Sequence, residues 1–391
     1  MLYRLPPAGN AISVSGYSTE LSQIERGWSP FTVRWYGSGT SALAAAVSAA
    51  VARKPVRSPE VIIPAYACPD VVSAILFAGA TPILVDLATG RPWLDIEICR
   101  RRASHNTVAL VAINFLGIPE RVQSLRTVTA ACDAVLIEDC AQAFPIGEQT
   151  AAALDGDMVV LSFGRGKPVG LLGGGAVLSR AELSHLLPPA GSSVTGSRAW
   201  ARFLLRAVTY NVLRRPRLYW LLDALPLSGL GRTVFKPLPA LAPAQASIAR
   251  LGANIDRYRA LANRGRELRA GLSEVLAGRA IDLAAACAVP EDARLLRFPM
   301  LIEPDACARA DNALRGAGLG SSRLYQVPLP MVTGIPELVR MQGDFPNAGE
   351  FAASLLTLPT HAQVERRDIE RMAAILRREL FLDEPVTGAT R

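Results

Sequence analysis

The chain has 391 residues, half of them apolar, enough to bury a substantial core and to form one large domain with a smaller one. Its formal charge of +8 fits an anionic substrate, an acidic membrane surface or nucleic acid, but no helix-turn-helix, RNP or zinc-finger pattern supports the last, and no nucleic-acid partner is expected. No charge-free stretch of about 18 apolar residues occurs, so no spanning helix is expected either.

The opening "MLYRLPPAGNAISVSGYSTE" lacks a charged start followed by an apolar core, which argues against a signal peptide. Next, "WYGSGTSALAAAV" puts Gly37, Ser38, Gly39, Thr40 and Ser41 at the start of a helix over 41–53. Free backbone N–H groups there favour an anion such as phosphate, although Ser and Thr are also ordinary N-caps. Apolar β-branched runs at 59–66, 80–87, 106–115, 133–140, 157–163 and 173–179 read as strands, and 69–79 and 121–132 as further helices. This alternation predicts an α/β fold with a mostly parallel sheet, whose ligands gather at the carboxyl ends of the strands.

Two strand ends carry chemistry. "VLIEDCAQAF" closes a strand with Glu138 and Asp139 and sets Gln142 just beyond. A carboxylate there can hold a protonated ring nitrogen of a cofactor or cap a following helix, and the capping role is favoured for Glu138. "LSFGRGKPVGLLGGGAVL" places Ser162 at another strand end and Lys167 five residues later. Only Lys54, Lys167 and Lys236 are lysines, against 39 arginines. A chain that meets nearly every need for positive charge with arginine keeps Lys167 either for amine chemistry, since lysine can form a Schiff base and arginine cannot, or as a solvated loop residue. Arg165 reads as a phosphate partner or a surface turn residue.

Residues 182–236 mix Trp200, Phe203, Leu204, Tyr219 and Trp220 with Arg198, Arg202, Arg206, Arg214, Arg215 and Arg217. Such a basic, aromatic segment lies on an anionic membrane surface, here through 198–228, or, more often, packs on its own protein or a second subunit. An amphipathic, arginine-rich helical pattern over 243–276 leads into a second domain, so the expected division is 1–240 and 241–391. Further on, 294–303 reads as a strand, His361 as structural, 366–380 as a helix and "DEPVTGATR" as loosely ordered. The six cysteines are widely spaced with no C-x-x-C pair, which predicts reduced thiols, a cytoplasmic location and no metal site.

A phosphate cradle, an acid for a pyridine nitrogen and an amine for a Schiff base are the parts that hold pyridoxal 5′-phosphate. The ordered segments "SGTSAL", "VIIPAYACPDVVSAILFAGATPILVDL", "LIEDCAQAF", "LSFGRGKPVGLLGGGAV" and "GDFPNAGEFAASLLTLPTHAQVERRDIERM" resemble those of the DegT/DnrJ-type (EryC/StrS-like) sugar aminotransferases. The resemblance implies a fold-type-I pyridoxal-phosphate transferase: a mostly parallel seven-stranded sheet with helices on both faces and a smaller C-terminal α+β domain. By similarity, Lys167 carries the cofactor and shuttles a proton, Asp139 pairs with the ring nitrogen, Gln142 lies near the ring hydroxyl, and Ser38, Gly39, Thr40 and Ser162 hold the phosphate. L-Glutamate is the implied amino donor and a keto-sugar on a nucleotide the acceptor, for polysaccharide or glycan precursors, in a homodimer.

Two departures stand out. Where many relatives stack an aromatic residue on the cofactor, this chain has Cys68, leaving Tyr66 or Phe115 to take over or the face to be covered differently. Their G-x-N-x-R segment is replaced by "GRTVFKPLPALAPAQAS", where Arg232, Lys236 or neither supplies charge. These departures keep open an alternative, a non-transaminating cofactor-binding module at the membrane.

Overall fold

In the computed structural model, residues 3–14, 19–145, 154–221 and 233–381 are described. Seven strands, β1 (Thr32–Tyr36), β2 (Glu60–Pro64), β3 (Thr81–Val85), β4 (Thr107–Ile113), β5 (Val135–Asp139), β6 (Met158–Ser162) and β7 (Gly175–Ser179), form one sheet in the order β1-β7-β6-β5-β4-β2-β3. β7 runs antiparallel to both its neighbours, and the other pairs are parallel. Every strand but β7 therefore ends at the same edge. The central runs "TVALVAI" and "VLIED" are buried along almost their whole length, as strands covered on both faces must be. The edge strand β1 escapes the sequence pattern, because Arg34 and the exposed Thr32 interrupt an apolar run.

The helix Gly39–Arg53 lies against this sheet on a row of fully buried alanines, Ala42, Ala44, Ala45, Ala46, Ala49 and Ala50. Side chains this small let helix and sheet approach closely. The Ser38 hydroxyl caps the helix by accepting from the Ser41 N–H at 3.0 Å. Its first turn is thereby fixed at the strand-end edge.

A second, antiparallel sheet joins β8 (Ala280–Asp282), β9 (Arg297–Ile302) and β10 (Leu355–Pro359) in the order β10-β9-β8. The helices Pro304–Gly316 and Arg366–Leu380 cover it, burying Phe298, Met300, Leu356, Leu314, Met372 and Leu376. The helical pattern at 243–276 is not the single long helix that its periodicity suggests. It breaks into Ala246–Arg250 (3-10), Leu251–Ala260, Gly265–Gly271 and Ser273–Gly278. At the main break, tertiary hydrogen bonds replace helical ones: Arg294 donates to the Leu261 carbonyl, Asn263 to the Leu295 carbonyl, and the Arg264 N–H to the Thr360 carbonyl. Asn263 then accepts from the Gly265 N–H and restarts the chain as helix.

Residues 3–14 run as a strap over the body. Arg214 donates to the Gly9 carbonyl at 2.6 Å, His361 to the Pro6 carbonyl at 2.8 Å, and Asn211 bonds both backbone groups of Ile12. Gly9 sits at φ +96°, with no room for a Cβ beside the Tyr210 hydroxyl, and packs near Gly166. The helix Ser197–Leu213, inside the basic and aromatic stretch, buries Phe203 and Ala207 against Ile12 on this strap. Residues 222–232, including the end of the 198–228 segment and Arg232, lie outside the described residues, as does "DEPVTGATR".

Candidate active site

Four strand ends converge at the common edge. After β1 come Gly37, Ser38 and the helix start at Gly39, and after β2 come Tyr66 and Cys68. β5 ends on Asp139, with Gln142 beyond it, and β6 ends on Ser162, followed by Lys167. A turn closes the segment after β6: Leu171 and Gly173 both donate to the Phe163 carbonyl, at 2.7 and 3.2 Å, while Phe163 itself donates to the Gly174 carbonyl. Lys167 stands half-buried on this closed turn. The other lysines are placed differently. Lys54 donates to the Thr107 and Cys132 carbonyls, and Lys236 is exposed.

Ser162 and Gly39 are in close register. A Cβ on Gly39 would lie 2.5 Å from both the Cβ and the Oγ of Ser162, so the serine hydroxyl sits against the first turn of the helix only because position 39 has no side chain. Free N–H groups of that turn and a hydroxyl face one small space, which suits an anion. The Ser38 hydroxyl is engaged in its cap, and Thr40 donates to Asp70 at 3.3 Å. Arg165 is exposed.

Asp139 is buried and accepts from the Ala141 N–H at 2.8 Å. Burial raises its pKa, opposed by that hydrogen bond and by the charge of Lys167. Glu138 does not cap a helix, because its oxygens accept from Asn114 at 2.9 Å and from the Gly156 N–H at 3.2 Å, tying two loops together beneath the edge. Gln142 accepts from the Leu116 N–H at 2.9 Å and donates to the Tyr325 hydroxyl at 3.1 Å. Cys68 is half-buried and also hydrogen-bonds Tyr325, its thiol pushed up mainly by burial. The Tyr66 ring is buried among Phe115, Tyr325 and Phe351, at centroid distances of 5.7, 5.6 and 5.1 Å.

Residues 34–187, which include each strand-end residue described above, match the DegT/DnrJ/EryC1/StrS aminotransferase family model. The chain is 25% identical over 327 residues to the UDP-N-acetyl-3-dehydro-alpha-D-glucosamine 3-aminotransferase of Acidithiobacillus ferrooxidans, covering 82% of this chain and 78% of that protein. Among solved structures, Helicobacter pylori PseC, an aminotransferase involved in pseudaminic acid biosynthesis, superposes with a TM-score of 0.70 at 13% identity, over 96% of this chain and 99% of PseC. Spr1654 of Streptococcus pneumoniae, proposed to be a sugar aminotransferase and solved in its PMP form, gives 0.68 at 20% identity, over 97% and 99%. The fold is that of the fold-type-I pyridoxal-phosphate transferases.

The site fits pyridoxal phosphate on its own geometry. The Gly39–Ser162 space suits the phosphate, and Asp139 is a buried carboxylate suited to a cationic ring N–H. The two candidates for replacing the aromatic residue at position 68, Tyr66 and Phe115, are each only 3% exposed and pack on one another and on Phe351. Sequence reasoning missed Tyr325, which reaches the site from between β9 and β10 and hydrogen-bonds both Cys68 and Gln142. Nothing in its surroundings, "SSRLYQVPLP", marks it. His361 is pinned to the strap and has its pKa pushed down to about 4 by burial.

Proposed function

We propose that this protein is a pyridoxal-phosphate-dependent aminotransferase that moves an amino group from L-glutamate to a keto-sugar carried on a nucleotide. The observation that carries the reading is the placement of Lys167, Asp139 and the Gly39–Ser162 cradle at one strand-end edge. Support for the acceptor class comes from the relative that acts, by its name, on a UDP-linked dehydro-sugar, and the arginine-rich composition suits a diphosphate.

When bound, pyridoxal phosphate supplies a carbonyl that captures amines and a ring that accepts electrons. The Lys167 amine would hold that carbonyl and, once displaced, carry the proton at its Nζ between substrate and cofactor carbons. Asp139 would keep a proton on the ring nitrogen, its own burial cost offset by the cation it faces. Ser162 and the N–H groups at Gly39 and Thr40 would orient the phosphate, and Gln142, fixed at both ends of its amide, would orient the ring hydroxyl.

We further place the enzyme in the cytoplasm, as a homodimer serving polysaccharide or glycan precursor synthesis. The neighbouring exposed side chains Met331, Leu338 and Met341 offer an apolar surface for the dimer contact. The test is the visible absorption of the purified protein with pyridoxal phosphate before and after L-glutamate. The expected result is a band that fades as 2-oxoglutarate appears and that Lys167→Ala never forms. A band indifferent to amino donors favours the alternative of a binding module that has lost amino transfer.

A further inference from the structure

The helix Ser197–Leu213 has two apolar faces. One is seated on the protein: Phe203 and Ala207 are buried, Arg206 donates to the Leu172 carbonyl, and the Arg250 guanidinium lies 5.3 Å over the Trp200 ring. The other carries Ala201, Leu205, Val208 and Val212 at spacings of four, three and four, a continuous stripe turned outward. Leu205 is 69% exposed and Val208 50%, in a chain where large apolar side chains are mostly enclosed.

Charge tells what covers this stripe. Arg198 and Arg202 flank it, Arg215 and Arg217 follow the helix end, and all four are exposed. No Asp or Glu occurs between Glu182 and Asp223. A second copy docking through the same face would set arginines against arginines with no carboxylate from residues 183–222 between them. Nucleic acid would use the arginines and leave the leucine and valines in water. An anionic lipid surface answers both: headgroup phosphates pair with guanidinium groups while short apolar side chains enter the boundary of the acyl region. Among the described residues no helix is long and apolar enough to cross a membrane, so the contact lies on the surface.

We propose that the outer face of the helix Ser197–Leu213 docks this protein on anionic phospholipid bilayers. The assignment goes beyond the aminotransferase reading and does not depend on it. Three aliphatic side chains bind weakly by themselves, so attachment requires anionic lipid and is released by salt.

The test is co-sedimentation of the full chain with phosphatidylcholine vesicles, with and without phosphatidylglycerol, at low and high salt. Expected are binding to the anionic vesicles alone, weakening with salt, and a loss of about tenfold or more in partitioning for Leu205→Glu/Val208→Glu and for Arg198→Gln/Arg202→Gln. Both pairs occupy exposed positions, so circular dichroism and thermal unfolding should match the unsubstituted protein. Equal binding to neutral vesicles, or anionic binding untouched by the glutamates, overturns the proposal. So does dissociation of an oligomer by the glutamate pair in sedimentation velocity, which would assign the stripe to a second copy, and so does retention on duplex DNA without vesicle binding.

Discussion

Asp139 and Arg297 are both charged groups taken out of water, one at the strand-end edge and one in the three-stranded sheet, and their surroundings are opposite. Arg297, 2% exposed, donates from Nε to the Thr357 hydroxyl at 2.6 Å and from Nη2 to the Thr357 and Gly320 carbonyls at 2.8 and 2.9 Å. It thereby joins β9, β10 and the loop at 320. Burial pushes its pKa down to about 9, and the carboxylate of Asp311 opposes the shift. Asp139 has one backbone hydrogen bond and a lysine nearby. A buried charge that spends three hydrogen bonds on the fold, with Nη1 alone left unpartnered, is structural, whereas one held by a single backbone N–H at a strand end is suited to a ligand.

The largest expected effect tests the second half of that contrast. Asp139→Asn preserves shape and removes the charge, so kcat for amino transfer should fall on the order of a thousandfold, while stability without cofactor changes by less than about 1 kcal/mol. Paired measurements of glutamate-dependent 2-oxoglutarate release and urea unfolding check both. A large loss of stability with activity retained would place Asp139 with Arg297. Arg297→Ala should do the reverse. It leaves a cavity and strips donors from three acceptors, two of them on the buried Thr357, for a loss of about 3 kcal/mol or more in the same unfolding series.

His361 sharpens the structural side through pH. Its ordinary pKa is near 6.5 and its folded value about 4, so between those values the unfolded chain binds a proton that the folded chain refuses. Stability therefore falls as pH drops from 6.5 to 4, by about 3 kcal/mol at full extent. His361→Asn, which retains a donor for the Pro6 carbonyl, should lose this component. The difference between the two pH profiles isolates it from the carboxylates, which titrate in both proteins.

The parallel sheet was legible because fully buried strands are continuous apolar runs, and the site because its chemistry sits just after such runs at Asp139, Ser162 and Lys167. The misreadings are local patterns overruled by distant partners. β1 was hidden by Arg34, which donates to the Leu187 carbonyl at 2.6 Å. The helix expected over 243–276 breaks where Thr360, Leu295 and Arg294 claim its backbone and Asn263. Two motif stretches also meet for a reason that neither shows alone: Asp86, closing "GATPILVD", accepts from the N–H groups of Asn347 at 3.1 Å and Ala348 at 2.8 Å in "FPNAGE". A carboxylate at one strand end thus caps a helix that begins some 260 residues later.

The smallest effect concerns the residue that belongs to both regions. Tyr325 rises from the side of the three-stranded sheet, packs its ring on Tyr66 at 5.6 Å and turns its hydroxyl to Gln142 and Cys68. Tyr325→Phe keeps the ring and removes only those hydrogen bonds, so stability should fall by about 1 kcal/mol in urea unfolding. Gln142 remains held by the Leu116 N–H, so affinity for pyridoxal phosphate, followed by absorbance titration, should weaken by no more than about threefold. A tenfold or greater loss of affinity with unchanged stability would instead mean that the hydroxyl is spent on the ligand, and Tyr325 would then stand with Asp139 rather than with Arg297.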